Sequence, residues 1–121
     1  MNGAVITIEH RFFGESNPYP DLLPEHLTVH TISQAIEDLV YFAQNVKLAF
    51  PGGDTDAIRP HKTPWVLVGG SYPGALVSWT MLKSVIYFSF WSIVFNVQTA
   101  VRQPGVFWAG YSSSGVVQPI A

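Results

Sequence analysis

The sequence has no cysteine, few charges and, after residue 61, neither acidic residues nor histidine. Without cysteine it offers no thiolate ligand to a metal and gives no clue to the redox compartment. Charged residues make up 12% of the chain and the formal net charge is −2, so no basic patch argues for nucleic-acid binding. The last carboxylate is that of Asp56 and the last histidine is His61.

The composition that remains is strongly apolar. The 121 residues suffice for one small domain, and 48% of them are hydrophobic. So few charges beside so many apolar residues are typical of a piece of a larger core, or of a membrane-associated chain. The N-terminal residues do not resemble a signal peptide, because the charge of Glu9 arrives before an apolar core is complete.

Hydrophobic patterning predicts strands and helices in alternation. Residues 4–8 form an apolar β-branched run, which predicts a strand buried on both faces. Residues 31–46 carry apolar side chains at helical spacing, and Thr31 and Gln34 fit a capping box. The other predicted elements are a strand at 66–68, a helix at 74–83, and strand pieces at 107–109 and 116–117 around the serine-rich link 112–114. This order predicts an α/β fold with three parallel strands and right-handed crossover helices.

The stretch WVLVGGSYPGALVSW at residues 65–79 is the most informative part of the chain. An apolar strand-type run stops at Gly69, Gly70 and Ser71, and an apolar helical run follows. A sharp turn of this kind lifts a serine hydroxyl above a sheet, and small neighbours such as Gly74 allow the close approach that the turn needs. The sequence therefore predicts Ser71 as a nucleophile, with the backbone N–H of Tyr72 as an oxyanion donor at the helix N-terminus.

The residues that should activate such a serine are absent downstream. In hydrolases with a strand–turn–helix nucleophile, the catalytic acid and the histidine follow the serine in the chain. This sequence has neither type after Ser71, while Asp54 and Asp56 precede it, in the wrong order for the acid. We therefore expect a nucleophile without its base.

Residues 84–101 differ in character from the rest. The segment SVIYFSFWSIVFNVQTAV has no charge, is rich in aromatic and β-branched residues, and reaches the lower length limit of a membrane span. Its serine, asparagine, glutamine and threonine residues make it a mediocre span, so a membrane location is disfavoured. Two interpretations of residues 84–101 stay open: a membrane anchor, or sequence foreign to the fold.

Three blocks resemble the serine carboxypeptidase family that contains prolylcarboxypeptidase and dipeptidyl peptidase 2. The first is VITIEHRFFGES at residues 5–16, similar to the family's strand and loop ending in EHR-aromatic-aromatic-GES. The second, at residues 27–39, is similar to its LT…QAL.D helix, and the third, GGSYPGAL at residues 69–76, is similar to its GGSYGG-type turn. The three blocks occur in order, and the resemblance that they carry covers residues 4–83.

The resemblance implies a partial α/β-hydrolase fold and serine-type peptide hydrolysis next to proline, by carboxypeptidase or dipeptidyl-peptidase action. It implies Ser71 as the nucleophile and Glu9, His10 and Arg11 as structural residues near the site, since the family takes its catalytic histidine from downstream. The expected partner is a peptide with proline near the scissile bond, and members of the family are secreted or lysosomal. Pro73 departs from the pattern by replacing a glycine.

The join after the nucleophile helix suggests an insertion. In the family a Lys-type residue at the helix end runs almost directly into a P-x-x-x-x-G stretch, similar here to Lys83 and PGVFWAG at residues 104–110. The chain is thus expected to be one incomplete α/β-hydrolase segment, residues 1–121. Residues 84–103 are expected to be an insertion, produced by translation of an unspliced intron. Two other hypotheses stay open: an inactive truncated fragment, and a small protein anchored in a membrane through residues 84–101.

The remaining histidines and glycines suggest no further chemistry. His26, His30 and His61 lack ligand spacing with carboxylates, so no metal site is expected. The glycines at residues 69–74 only superficially resemble a phosphate-binding loop, because no Lys-Ser/Thr follows, and no cofactor is expected. Glu37 and Asp38 are most simply interpreted as the solvated face of their helix.

Overall fold

The computed structural model describes residues 3–82 and 106–116. The chain divides into two compact units, Met1–Asp38 and Leu39–Ala121. Helix α1 comprises Ile32–Asn45, strand β1 Trp65–Gly70, helix α2 Tyr72–Leu82 and strand β2 Phe107–Ser113. Single turns of 3-10 helix occur at His26–Val29 and Asp56–Ile58.

Helix α1 begins where its sequence predicts, because Thr31 caps it. The Thr31 hydroxyl accepts a hydrogen bond from the backbone N–H of Gln34 (3.2 Å), and its carbonyl accepts the N–H of Ala35 (3.0 Å). At the other end, the Arg59 guanidinium donates to the carbonyl of Val46 (2.8 Å). A cation at a helix C-terminus is favourable, because the last carbonyls have no partner within the helix.

The second unit is built on a small parallel sheet. Strand β1 pairs with β2 in parallel, with Val66 opposite Ala109 and Gly70 opposite Ser113. Helix α2 connects directly to the end of β1 and packs on both strands. The middle of α2, from Gly74 through Met81, is buried except for the partly exposed Trp79, as expected of a helix that is apolar all round.

The core of this unit lies between the helices and one face of the sheet. Met81 and Phe107 are each 2% exposed, and Ala43 is fully buried. The partly buried residues against this cluster are Leu39, Val40, Trp65 and Leu67. The Trp65 indole is fixed from outside the cluster, because its Nε1–H donates to the carbonyl of Ile58 (2.7 Å). The opposite face of the sheet is open, with Val68 72% and Tyr111 64% exposed.

The expected α/β architecture is present, with two corrections. Residues 4–8 do not form a strand, and Val5 is 98% exposed. A strand exists only where a neighbour takes up its backbone hydrogen bonds, and residues 3–82 and 106–116 contain two paired strands rather than three. The prediction of a serine-rich link at 112–114 is also wrong: Ser112 and Ser113 belong to one continuous strand, and Val116 lies beyond it.

Other expectations fall on residues that the structure does not describe. The suspected insertion, residues 84–103, and the possible anchor, residues 84–101, both lie outside the described residues, as does Val117. Among the helices that are described, none has both the length and the apolar character that a membrane crossing requires.

Replacing a core side chain should cost far more than replacing its exposed neighbour. Truncation of Met81 to alanine removes buried contacts with Val77 and Phe107 and leaves a cavity, so we expect a loss of about 2–5 kcal/mol in the free energy of unfolding. Leu82, which is 57% exposed, is the matched control, and Leu82→Ala should change it by less than about 1 kcal/mol. Urea unfolding of both variants measures the difference. Equal losses would contradict this placement of the core.

Candidate active site

Ser71 occupies the turn between strand β1 and helix α2. Gly70 is the last residue of the strand and Tyr72 the first of the helix, so the direction of the chain changes at one residue. Ser71 has φ = 59°, in the left-handed region that residues with a side chain rarely adopt. Such a conformation costs of order 1–3 kcal/mol, and it persists only where the surroundings enforce it. The residue itself is exposed.

Backbone hydrogen bonds enforce the turn from both sides. The N–H of Ser71 donates to the carbonyl of Ser113 (2.9 Å), which extends the β1–β2 ladder by one residue. The carbonyl of Ser71 accepts the N–H of Ala75 (3.0 Å), which is the first helical bond of α2. Ser71 is therefore held in the sheet by its N–H and in the helix by its carbonyl.

The glycines around Ser71 have different roles. A Cβ atom at Gly69 would overlap the backbone carbonyl of Pro73, and one at Gly74 would lie 2.7 Å from the carbonyl oxygen of Ser113. Both glycines are required because backbones approach each other too closely for a side chain. Gly70 differs: the nearest atom to an added Cβ is the oxygen of Ser113, at 4.0 Å. The sequence alone does not distinguish Gly70 from Gly69 and Gly74.

Tyr72 and Pro73 form the first turn of helix α2. The N–H groups of a first turn have no partner within the helix and concentrate positive potential there, which suits a developing oxyanion. Proline at this place removes an N–H that the helical ladder does not use. Pro73 is exposed and is compatible with the helix, although it replaces the glycine expected from the resemblance.

The His61–Asp56 pair lies at the far end of strand β1. His61 Nε2 is 3.1 Å from an Asp56 carboxylate oxygen, and both side chains are exposed. His61 lines an open cavity of about 380 Å³ with Lys62, Val106 and Trp108, where both strands begin. Six strand residues separate this end from Ser71, a distance of about 20 Å. This pair therefore does not act as the base of Ser71.

Arg11 is the centre of a hydrogen-bond network in the first unit. Its Nε and Nη2 each donate to a carboxylate oxygen of Asp38 at 2.6 Å, and its Nη1 donates to the carbonyl of Val29 (2.8 Å). The hydrogen bonds to Asp38 raise the pKa of Arg11. Asp38 is thus not simply solvated, as its sequence position suggested, because it anchors Arg11. Nothing in the helical pattern separates it from Glu37, and the contact spans 27 residues.

Glu9 and His10 hold the loop that follows them. A carboxylate oxygen of Glu9 accepts the backbone N–H of Ser16 (2.8 Å), and hydrogen bonds from Ser16 lower the pKa of Glu9. His10 Nδ1 lies 2.8 Å from the carbonyl oxygen of Arg11, and its ring meets that of Phe13 edge-on, with centroids 5.5 Å apart. These contacts describe structural roles in the first unit. The expectation that the triplet lies near Ser71 stays a prediction.

No metal site occurs in the described part of the chain. Within residues 3–82 and 106–116, no group of three histidine, cysteine or acidic residues converges as metal ligands would. The chemistry that this arrangement supports is that of an exposed alcohol at a helix N-terminus.

Alanine substitution of two adjacent glycines tests whether close backbone contact at Gly69, rather than the presence of glycine as such, stabilises the turn. Gly69→Ala forces the strand and Pro73 apart, so we expect a loss of about 1–3 kcal/mol in unfolding free energy, with a displaced turn. Gly70→Ala, one residue away, meets no close atom and should stay within about 1 kcal/mol of the parent. Urea unfolding with amide NMR shifts at Ser71 measures both effects. A larger loss for Gly70→Ala would contradict this geometry.

Comparison with known proteins finds a serine carboxypeptidase family and relatives named as serine proteases or carboxypeptidases. The model of the family Serine carboxypeptidase S28 matches residues 1–85. The chain is 36% identical over 117 residues, 97% of its length, to "Serine protease vicPa" of Bipolaris victoriae. It is 33% identical over 119 residues, 98% of its length, to a "Probable extracellular serine carboxypeptidase" of Arthroderma benhamiae.

A third relative is the human "Lysosomal Pro-X carboxypeptidase", which is 30% identical over 86 residues, 69% of this chain. The chain spans only a small part of each relative: 18% of the Bipolaris protein, 14% of the Arthroderma protein and 16% of the human one. Since the family model covers well over half of the sequence, the chain belongs to the serine carboxypeptidase S28 family.

Proposed function

We propose that this chain supplies the nucleophile for serine-type peptide hydrolysis. Ser71 Oγ attacks the carbonyl carbon of a peptide bond, the C–N bond breaks, and the amine leaves with a proton delivered by a general acid. Water then hydrolyses the ester, which returns the proton to Ser71. The observation that supports this role is the left-handed turn at Ser71, exposed between the end of β1 and the start of α2.

The backbone N–H of Tyr72 is the proposed oxyanion donor. It lies at the first residue of α2, where the helix dipole favours negative charge. Gly69 and Gly74 support the role indirectly, because they allow the strand and helix to approach and so fix where that N–H points. Loss of one such donor in serine hydrolases typically lowers kcat by about 10²–10³.

We propose that the base and its orienting acid come from residues outside this sequence. No Asp, Glu or His follows Ser71, and His61 lies at the opposite end of β1. Relatives are several times longer than the stretch that this chain matches. We therefore propose that the chain is one segment of an α/β hydrolase and that it has negligible activity alone.

The substrate class and compartment are proposed from the relatives. One relative is named a Pro-X carboxypeptidase and lysosomal, and another is named extracellular. We propose a peptide with proline beside the scissile bond as the substrate, and a secreted or lysosomal/vacuolar location. The open sheet face and the exposed turn leave room for the parts of the fold that would shape a proline pocket.

Residues 84–103 are proposed to be an insertion, as by translation of an unspliced intron. The family model ends at residue 85, which agrees with a break in the family pattern after Lys83. Long-read sequencing of transcripts across this join tests the proposal. We expect most messages to join the codon of Lys83 to that of Pro104, and an abundant message that retains the segment would contradict it.

A graft into a complete relative tests the role of Ser71. Residues 1–83 of this chain would replace the matched segment of the human Pro-X carboxypeptidase, which supplies the missing base. We expect the graft to cleave a peptide ending in Pro-Xaa, and Ser71→Ala to lower kcat/KM by at least about 10³-fold without changing the melting temperature. Ser33→Ala, on the exposed start of α1, is the matched control and should leave kcat/KM within about twofold.

The same series includes the isolated chain. Without a base, it should not turn over the peptide above the rate in buffer, and a fluorophosphonate should label the graft at Ser71 far faster than the isolated chain. Hydrolysis that survives Ser71→Ala in the graft would overturn the assignment of the nucleophile. Turnover by the isolated chain would overturn the missing-base argument.

A further inference from the structure

The end of strand β2 makes a second sharp turn directly beside Ser71. Ser114 has φ = 53°, so it is left-handed like Ser71, and Gly115 follows it. Parallel pairing of Gly70 with Ser113 places the two turns next to each other at the same edge of the sheet. Residues 112–115, here called the β2 terminus, therefore face the start of helix α2.

The β2 terminus contacts the turn at two points besides the ladder bond to Ser71. The hydroxyl of Ser112 donates a hydrogen bond to the carbonyl of Gly74 (2.8 Å), which spans 38 residues of sequence. Gly115 lies so close to the helix that an added Cβ would be 2.7 Å from the backbone nitrogen of Ala75 and 2.8 Å from the carbonyl carbon of Gly74. Both contacts are made to backbone atoms of the first turn of α2.

We propose that Ser112 is a positioning residue for the turn at Ser71 and that it acts through the carbonyl of Gly74. This inference rests on the proposed function, since the turn presents the nucleophile and the N–H of Tyr72. The Ser113 carbonyl holds the strand side of Ser71, and the Ser112 hydroxyl holds the helix three residues later. Fixed at both ends, the left-handed residue cannot relax into an ordinary helical or extended conformation.

Ser113 provides a matched control within the same strand. It contributes to the turn through its backbone carbonyl, which alanine retains. Ser113 is exposed, whereas Ser112 is half-buried. If the hydroxyl of Ser112 positions the helix, then Ser112→Ala and Ser113→Ala differ at the turn although they make the same chemical change. Gly115→Ala perturbs the same backbone atoms by contact rather than by loss of a hydrogen bond.

Site-resolved amide hydrogen exchange of the 121-residue chain tests the proposal. We expect Ser112→Ala to accelerate exchange at the N–H groups of Ser71 and Ala75 at least tenfold, while those of Leu67 and Gly110, inside the sheet, stay within twofold. Ser113→Ala should leave all four within twofold. Gly115→Ala should accelerate Ser71 and Ala75 as Ser112→Ala does.

The contrary outcomes are distinct. Equal effects of Ser112→Ala and Ser113→Ala on exchange would overturn the positioning role. So would an acceleration that is equal at all four amides, which is also the result expected if the variant unfolds globally. The measurement needs no catalysis, so it is independent of the graft experiment. If exchange behaves as expected while Ser71 proves unreactive in the graft, the proposed function fails and the positioning of the turn stands.

Discussion

The close approach of three backbones at the carboxyl end of the sheet is the constraint on which the rest of this structure depends. Strand β1, helix α2 and the end of β2 meet where Gly69, Gly74 and Gly115 each leave no space for a side chain. Because the backbones are so close, the turn between strand and helix has one residue in which to change direction. That residue, Ser71, takes a left-handed conformation and is exposed.

The close backbone packing also stabilises the unfavourable conformation of Ser71. A left-handed serine is unfavourable in isolation, but hydrogen bonds to the Ser113 carbonyl and from the Ala75 N–H hold it in sheet and helix together. The energy that stabilises it comes from the core under α2, where Met81, Val77 and Phe107 are buried. The helix that begins directly after the exposed Ser71 is thus held in place by apolar packing along its own length.

Arg11 and Glu9 make structural contacts within the first unit. Arg11 is neutralised by a two-point contact with Asp38, and Glu9 closes its own loop through Ser16. In the second unit, the exposed pair of His61 and Asp56 lies where the strands begin. In the second unit, the exposed Ser71 and this His–Asp pair therefore lie at opposite ends of strand β1.

The sequence determined the local elements, since hydrophobic period, the Thr31 cap and the glycine–serine junction are properties of neighbouring residues. These predicted α1 within one residue at each end, and they predicted a strand, a turn at Ser71 and a helix in that order. Long-range partners were decided only by the tertiary structure. A strand needs a neighbour, and within the described residues none pairs with 4–8, so these residues are not a strand despite their pattern. Ser112 and Ser113 extend β2 despite a turn-like composition. Likewise Asp38 finds Arg11, and Gly70 proves unconstrained beside Gly69, because such contacts depend on which segments meet in space and leave no trace in local periodicity.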